Sequence, residues 1–478
     1  MHILIPIFFN APLGGLHLNV MSTALHCKQN GHDVTVVCKE GIFTEKLLES
    51  DINVINTNFT DSEFSQTIDK IVELNRTNKI DIIHAHPFHS RKLGLLISKI
   101  LEVPFFVTIH GKYTDKIETY IDKAAMVFTV SEGIKDYVKE HLIKSGIRKY
   151  LYKLFVVPNG VNMELFKPES PPSSITKDPQ KLNISLISRL DKDKEFIINI
   201  FYKALKFTRD KFAEKVSWTI VGDGTLKEEM KQKVEEISSG EHFVNFVGWK
   251  ENNELLMEYI NSDLIIAPGR SALEGMSCGK PVIALGSKGY VGLIDKDNWL
   301  KGVYANFGGI GNKIEDYIEG SVETDINRVI EDATLRKELE ELGPEIITQF
   351  YKEKEANNNL LRFYQIFKKS TTKQKEQSQS DLANLISRYL LETNIKNTLI
   401  TQVSNNEFKI KIQCFDYENL EFAWYIFKEK TLIKKIAYSS ANSILYKFNE
   451  SGKYIARCFL RKGQTIFVIP SKIMDVQI

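Results

Sequence analysis

No run of about 18 apolar residues occurs in this 478-residue chain, so no membrane-spanning helix is expected. Cysteine is scarce. The five (Cys27, Cys38, Cys278, Cys414, Cys458) are scattered and lack CxxC spacing, which argues against a disulfide framework or a zinc site and fits a reducing cytoplasm. A surplus of one charge sign is missing too: 63 Lys and Arg stand against 61 Asp and Glu, for a net charge of +2. A dedicated nucleic-acid binder carries a domain-wide basic excess, so nucleic acid is not an expected partner. The opening residues Met1-His2-Ile3-Leu4-Ile5-Pro6 lack a basic leader and run straight into a strand pattern. A secretory signal is therefore not expected, and the chain is read as cytoplasmic.

What is present is ordinary for a globular protein: 43% hydrophobic and 26% charged residues, enough to build two or three cores at this length. Ile3 to Phe9 is a short apolar run closed by Asn10, Pro12 and the pair Gly14-Gly15. Leu18, Met21 and Leu25 follow at helical spacing, Gly31 is a stop, and Val34 to Val37 is the next strand. Strand, glycine turn, helix, strand opens a parallel α/β sheet. The alternation continues through Ile80 to His86, a helix near Lys92 to Leu101, Pro104 to Ile109, Ala125 to Val130 and Leu154 to Val157. Lys167 to Ser174 has linker composition. A second series then places short apolar strands at Leu182 to Ile187, Ser217 to Val221, Val244 to Val247, Leu264 to Ala267 and Pro281 to Leu285, as strands covered on both faces require.

Beyond Lys369 the polar stretch Ser370 to Ser380 reads as a second linker, and from about Asn394 the pattern changes to period two. Phe408, Ile410, Ile412 and Phe422, Trp424, Ile426 alternate, and a turn at Asn449 to Gly452 precedes Tyr454 to Leu460. That predicts a small sandwich of five to seven strands. The expected layout is a Rossmann-like half at 1–165 and a second at 180–345. A helical return to the first half follows at 346–369, then a linker at 370–393 and an all-β, immunoglobulin-like module at 394–478.

Chemistry concentrates at strand ends. Arg189 and Lys194 directly follow a strand, at the sheet edge where ligands of open α/β folds bind. A fork-shaped cation and a point charge suit a pyrophosphate, against the bland reading of a solvated loop. Gly222-Asp223-Gly224 and Gly248 close two further strands. After Ala267-Pro268-Gly269, a helix starting near Ser271 would aim free N–H groups at the same edge. In its first turn Glu274 could accept hydrogen bonds from two vicinal ribose hydroxyls.

In this order, Arg189, Lys194, Gly222-Asp223-Gly224 and Leu273-Glu274-Gly275-Met276-Ser277-Cys278-Gly279-Lys280-Pro281-Val282-Ile283 resemble the retaining glycosyltransferases of family four, with the GT-B fold. Gly14-Gly15, Ile83 to His86, Thr108 to Gly111, Val130-Ser131-Glu132 and Val157 to Val161 match that family's landmarks in the first half, so the resemblance covers about residues 1–368. It implies two Rossmann-like domains facing a cleft and transfer of a sugar from a nucleoside diphosphate, with UDP expected. It implies catalysis by His110, Arg189 and Lys194, with His110 over the sugar and the two cations on the leaving diphosphate. Gly14 and Gly15 would admit the donor phosphate and sugar. Gly222, Gly248, Arg270, Ser271 and Leu273 would complete the nucleotide-sugar site around Glu274. No cofactor or metal is expected. The acceptor would be a glycan, glycolipid or glycoprotein in cell-surface polysaccharide synthesis. One departure stands out: the family's first glutamate, eight positions before Glu274, is here Ile266, and Arg270 occupies its neighbourhood.

Bland readings stand beside these. Gly14-Gly15 could be an ordinary turn, His86 and His110 satisfied strand-end histidines, and His84 is read as structural. Arg270 could simply point to solvent. Lys135 to Lys153 reads as a basic amphipathic helix or two, either a solvated face or a peripheral dock on anionic membrane at the inner face of the cell membrane. Trp424 is read as core. The alternatives to a transferase are a UDP-sugar 2-epimerase of the same architecture and an inactive glycan-binding scaffold.

Overall fold

The computed structural model describes residues 1–9, 14–169, 181–238, 244–308, 313–368, 395–414, 420–463 and 465–478. Most of the two expected linkers, with Asn10 and Pro12, lies outside these residues. Contacts divide the chain into two units, Met1–Tyr364 and Gln365–Ile478.

In the first unit, β1 (His2–Pro6), α1 (Gly15–Gln29), β2 (Asp33–Cys38), α2 (Ile42–Glu49), β3 (Asn53–Asn56) and α3 (Asp61–Thr77) open the first half. They are followed by β4 (Ile82–Ala85), α4 (His89–Leu101), β5 (Phe105–Ile109), β6 (Met126–Thr129), α5 (Glu132–Lys144) and β7 (Leu154–Val156). The strands form one parallel sheet in the order β3-β2-β1-β4-β5-β6-β7. β1, β4, β5 and β6 are buried along their whole length, which is why they read as unbroken apolar runs. The edge strand β3, Asn53-Val54-Ile55-Asn56, is half exposed and polar at both ends, and it carried no such signal.

The second half runs β8 (Leu182–Ile187), α6 (Glu195–Phe212), β9 (Val216–Val221), α7 (Lys227–Ser238), β10 (Val244–Gly248) and α8 (Asn252–Asn261). Then come β11 (Leu264–Ala267), α9 (Gly269–Ser277), β12 (Val282–Gly286), β13 (Gly289–Leu293), α10 (Trp299–Tyr304), α11 (Ser321–Glu331), α12 (Ala333–Phe350) and α13 (Glu353–Lys368). The sheet order is β10-β9-β8-β11-β12-β13, with β13 antiparallel. Both sheets reverse their winding beside their first strand, between β1 and β4 and between β8 and β11, and such a reversal opens a crevice at the carboxyl ends of the strands.

α13 ties the first half to the end of the unit. Asn357 accepts from Thr23 Oγ1 at 2.9 Å and donates to Ser22 Oγ at 2.7 Å. Asn358 Oδ1 meets His26 Nε2 at 2.9 Å, and the Tyr364 hydroxyl is bonded to buried His84.

The second unit is all β. It contains β14 (Ile395–Ser404), β15 (Glu407–Cys414), β16 (Glu421–Lys428), β17 (Thr431–Ser439), β18 (Ser443–Lys447), β19 (Gly452–Lys462), β20 (Thr465–Pro470) and β21 (Met474–Val476). One antiparallel sheet is β14-β15-β18 and the other β17-β16-β19-β20, with β21 beside β19. The alternating residues of β15, β16 and β19 meet in one core around Trp424, which is buried as a packing residue.

Candidate active site

At the first sheet's edge, α1 begins directly after Gly14, whose extended backbone forms the N-cap. His17 fastens this corner: its Nε2 donates to the Phe9 carbonyl at 3.1 Å, and Nδ1 accepts from the Gly14 N–H at 3.4 Å. At the ends of β4 and β5, His86 Nδ1 and His110 Nε2 share a hydrogen bond of 2.8 Å. His110 Nδ1 is buried without a partner. Behind them His84 stacks on His86 and bonds Thr108 Oγ1 at 2.7 Å. Burial, with the charge of a neighbouring histidine, pushes both His84 and His110 down to about 3 and takes His86 down in the same direction. Burial also lowers His17, against the pull of its bond to Phe9. These are neutral imidazoles, which donate and accept hydrogen bonds without bringing charge.

The second sheet's edge is charged instead. Arg189, after β8, binds Asp191 at 2.5 Å and Asp193 at 3.2 Å. Lys194 binds the same Asp193 at 2.7 Å and donates to Ser287 Oγ, beyond β12, at 2.9 Å. Burial alone would raise the Asp193 carboxyl, but the bond and charge of Lys194, with Arg189, hold it below the usual carboxylate range. Gly222 makes this loop possible: a β-carbon there would stand 1.9 Å from the Ser188 carbonyl oxygen. Its N–H already donates to the Gly248 carbonyl at 2.8 Å. Gly222 and Gly248 thus position the Arg189 loop, and the Gly222 N–H is not free for a phosphate.

α9 starts at Gly269 rather than near Ser271, because the Gly269 N–H is held by the Phe307 carbonyl at 2.7 Å. Glu274 therefore lies in the second turn, and it is 4% exposed. Arg270 Nε donates to its Oε1 at 2.7 Å and the Tyr259 hydroxyl to its Oε2 at 3.0 Å. Leu273, 1% exposed, packs in the core. Arg270 does not point to solvent: its side chain is 16% exposed, Nη1 is buried without a partner, and Glu353 of α13 lies 3.9 Å from Nη2. The two edges face each other here, since a β-carbon on Gly15 would stand 3.9 Å from Arg270 Cβ.

Sequence reading missed His17, Tyr259 and Glu353. Glu353 is 83 positions beyond Arg270 in the chain and reaches it only through the return of α13.

Residues 13–165 match the family described as Glycosyltransferase Family 4, and residues 169–346 match Glycosyl transferases group 1. The chain is a family-four glycosyltransferase with the GT-B fold. The "UDP-Gal:alpha-D-GlcNAc-diphosphoundecaprenol alpha-1,3-galactosyltransferase" of Escherichia coli is 24% identical over 282 residues, 52% of this chain and 70% of that protein. The "Alpha-monoglucosyldiacylglycerol synthase" of Acholeplasma laidlawii is 23% identical over 239 residues, 44% of this chain and 58% of that one. In fold, this glycosyltransferase is similar to Anabaena Alr3699/HepE, crystallised with UDP, at a TM-score of 0.57 and 20% identity, covering 76% of this chain and 99% of that one.

The basic stretch is not one continuous face in this glycosyltransferase. Lys135 is paired with Glu132 at 3.3 Å, and Lys153 is buried, donating to the carbonyls of Ile121, Asp122 and Ala124. Arg148 and Lys149 remain exposed, as does Tyr152 at 58%. Among the described residues, no helix is long and apolar enough to cross a membrane.

Proposed function

We propose that this glycosyltransferase moves a sugar from a nucleoside diphosphate, with UDP as the nucleotide, to an acceptor hydroxyl of a glycan, glycolipid or glycoprotein, with retention of anomeric configuration. The observation that carries the reading is the pairing of Arg189 and Lys194 on one shared carboxylate, Asp193, beside the sheet's reversal point. A diphosphate displaces that carboxylate by offering several anionic oxygens at once, and an arginine fork beside a lysine stabilises it most as it leaves. The donor named for the galactosyltransferase relative and the UDP bound to the Anabaena structure support the choice of nucleotide.

Each carboxylate oxygen accepts more than one hydrogen bond, so Glu274 keeps capacity for ribose hydroxyls beside Arg270 and Tyr259. His110 offers a neutral partner to a sugar hydroxyl, with Nδ1 its unspent nitrogen. The acceptor would enter along the first half. Exposed Arg148 and Lys149 suit an anionic membrane surface carrying a lipid-linked acceptor, in keeping with the lipid product named for the Acholeplasma relative.

The test is a panel of UDP-, GDP- and ADP-sugars offered with lipid-linked and free glycan acceptors, reading nucleotide release and the product's anomeric configuration by NMR. A UDP-sugar giving an α-linked product from an α-linked donor is expected. Preference for GDP- or ADP-sugars overturns the nucleotide assignment, and an inverted product overturns retention.

A further inference from the structure

The chain's net positive charge lies in residues 394–478. Residues 394–478 carry 13 Lys and Arg against seven Asp and Glu, whereas residues 1–393 carry 50 against 54. Part of that charge is arranged on one sheet face. Phe422, Trp424, Ile426, Ala456, Cys458 and Leu460 fill the core, so the residues between them on β16 and β19 stand on the outer side. There Tyr425 lies between Lys435 and Arg457 in register, and Phe459 lies between Ala423 and Val468.

The outer side alternates rings and cations. Tyr425 and Phe459 pack with ring centroids 4.4 Å apart. Lys435 Nζ is 5.0 Å from the Tyr425 centroid, the Arg457 guanidinium 4.6 Å from that of Phe427 and the Arg461 guanidinium 4.1 Å from that of Tyr438. Glu421 also lies on this side, satisfied by Arg461 at 2.9 Å. On the adjoining strand Ile466 and Val468 are 53% and 43% exposed. Exposed aliphatic residues beside rings and cations make this an amphipathic face suited to contact.

We propose that this outer face binds a glycan chain that carries carboxylate or phosphate groups. The apolar C–H faces of sugar rings lie flat on aromatic rings, whose negative faces attract them. Lys435 and Arg457, both exposed, flank the Tyr425 ring and meet the anionic substituents. Neighbouring strands about 4.8 Å apart give an open platform that spans a few sugar units. An open platform fits an extended polysaccharide better than an inserted side chain. An anionic lipid surface would use the charge and leave the ring ladder unexplained. The choice of glycan over another polyanion rests on the transferase reading, while binding is read without any transfer.

The full chain is titrated with polygalacturonate and poly(glycerol phosphate). Dextran, a single-stranded oligonucleotide and vesicles of phosphatidylcholine with phosphatidylglycerol serve as comparisons. Binding to an anionic polysaccharide in preference to dextran is expected, weakening with salt. The double variant Lys435→Gln, Arg457→Gln should lose roughly tenfold or more in affinity, as charge-assisted contacts vanish. Tyr425→Thr, which keeps a strand-forming residue, should lose affinity as well. UDP binding should be unchanged in both variants and the thermal midpoint unchanged in the double variant, with a small drop for Tyr425→Thr from the lost ring pair. Equal binding by wild type and the double variant overturns the proposal. So does binding to vesicles or oligonucleotide alone, or to neither anionic polymer. Failure of UDP binding in the wild type would instead count against the transferase site.

Discussion

The two halves of the cleft solve different problems with different chemistry. The first half sets neutral imidazoles, His17, His86 and His110, at its sheet edge. The second sets charges that neutralise one another: Arg189 and Lys194 against Asp191 and Asp193, and Arg270 against Glu274. A sugar is recognised by hydrogen bonds to hydroxyls, which neutral rings supply without paying for a buried charge. A diphosphate needs cations, and unliganded cations need internal counter-ions to remain near a low-dielectric edge.

The largest expected effect breaks the charged side. Arg270→Ala leaves the Glu274 carboxylate buried with Tyr259 as its remaining side-chain partner. Breaking a buried pair in this way costs about 3–5 kcal/mol. Chemical denaturation should show that loss in the variant, and a smaller one in Glu274→Ala, where Arg270 still faces the Glu353 carboxylate 3.9 Å away. Should Arg270→Ala unfold at the wild-type midpoint, the Arg270–Glu274 pair contributes nothing to stability.

A smaller effect sharpens the neutral side. Folded pKa values depressed below the ordinary histidine value mean that the unfolded chain binds more protons once pH falls below about 6.5. Stability is therefore fully present above that pH and is lost on acidification toward about 3, the value for His84 and His110. Each such histidine contributes up to about 1.4 kcal/mol per pH unit in that window. Thermal midpoints measured from pH 7 to pH 5 should fall for wild type and fall less for His86→Gln. A flat profile would mean that these rings are charged in the folded state.

Much of this fold was legible because buried parallel strands are apolar throughout, as in Ile82 to Ala85 and Leu264 to Ala267. The polar edge strand at Asn53 and the short, glycine-bearing β13 gave no comparable pattern. At the candidate site, Arg189 and Lys194 were singled out from their place directly after a strand, and Glu274 from the helix at the same sheet edge. Their present partners were only partly visible. Asp191 and Asp193 are sequence neighbours, whereas Tyr259 and Glu353 come from α8 and α13. The start of α9 was displaced by a bond from Gly269 to Phe307, a long-range contact that no local propensity encodes. The expectation that Glu274 lies in the first turn failed for the same reason.

The central claim is that Arg189 and Lys194 exchange their aspartates for a diphosphate. Calorimetric titration of UDP into wild type and Lys194→Ala tests it directly. Wild type should bind UDP, and the variant, with its thermal midpoint unchanged, should bind about a hundredfold more weakly, the loss of one strong charge-assisted contact worth about 3 kcal/mol. Equal affinity for UDP in the two proteins would contradict the account.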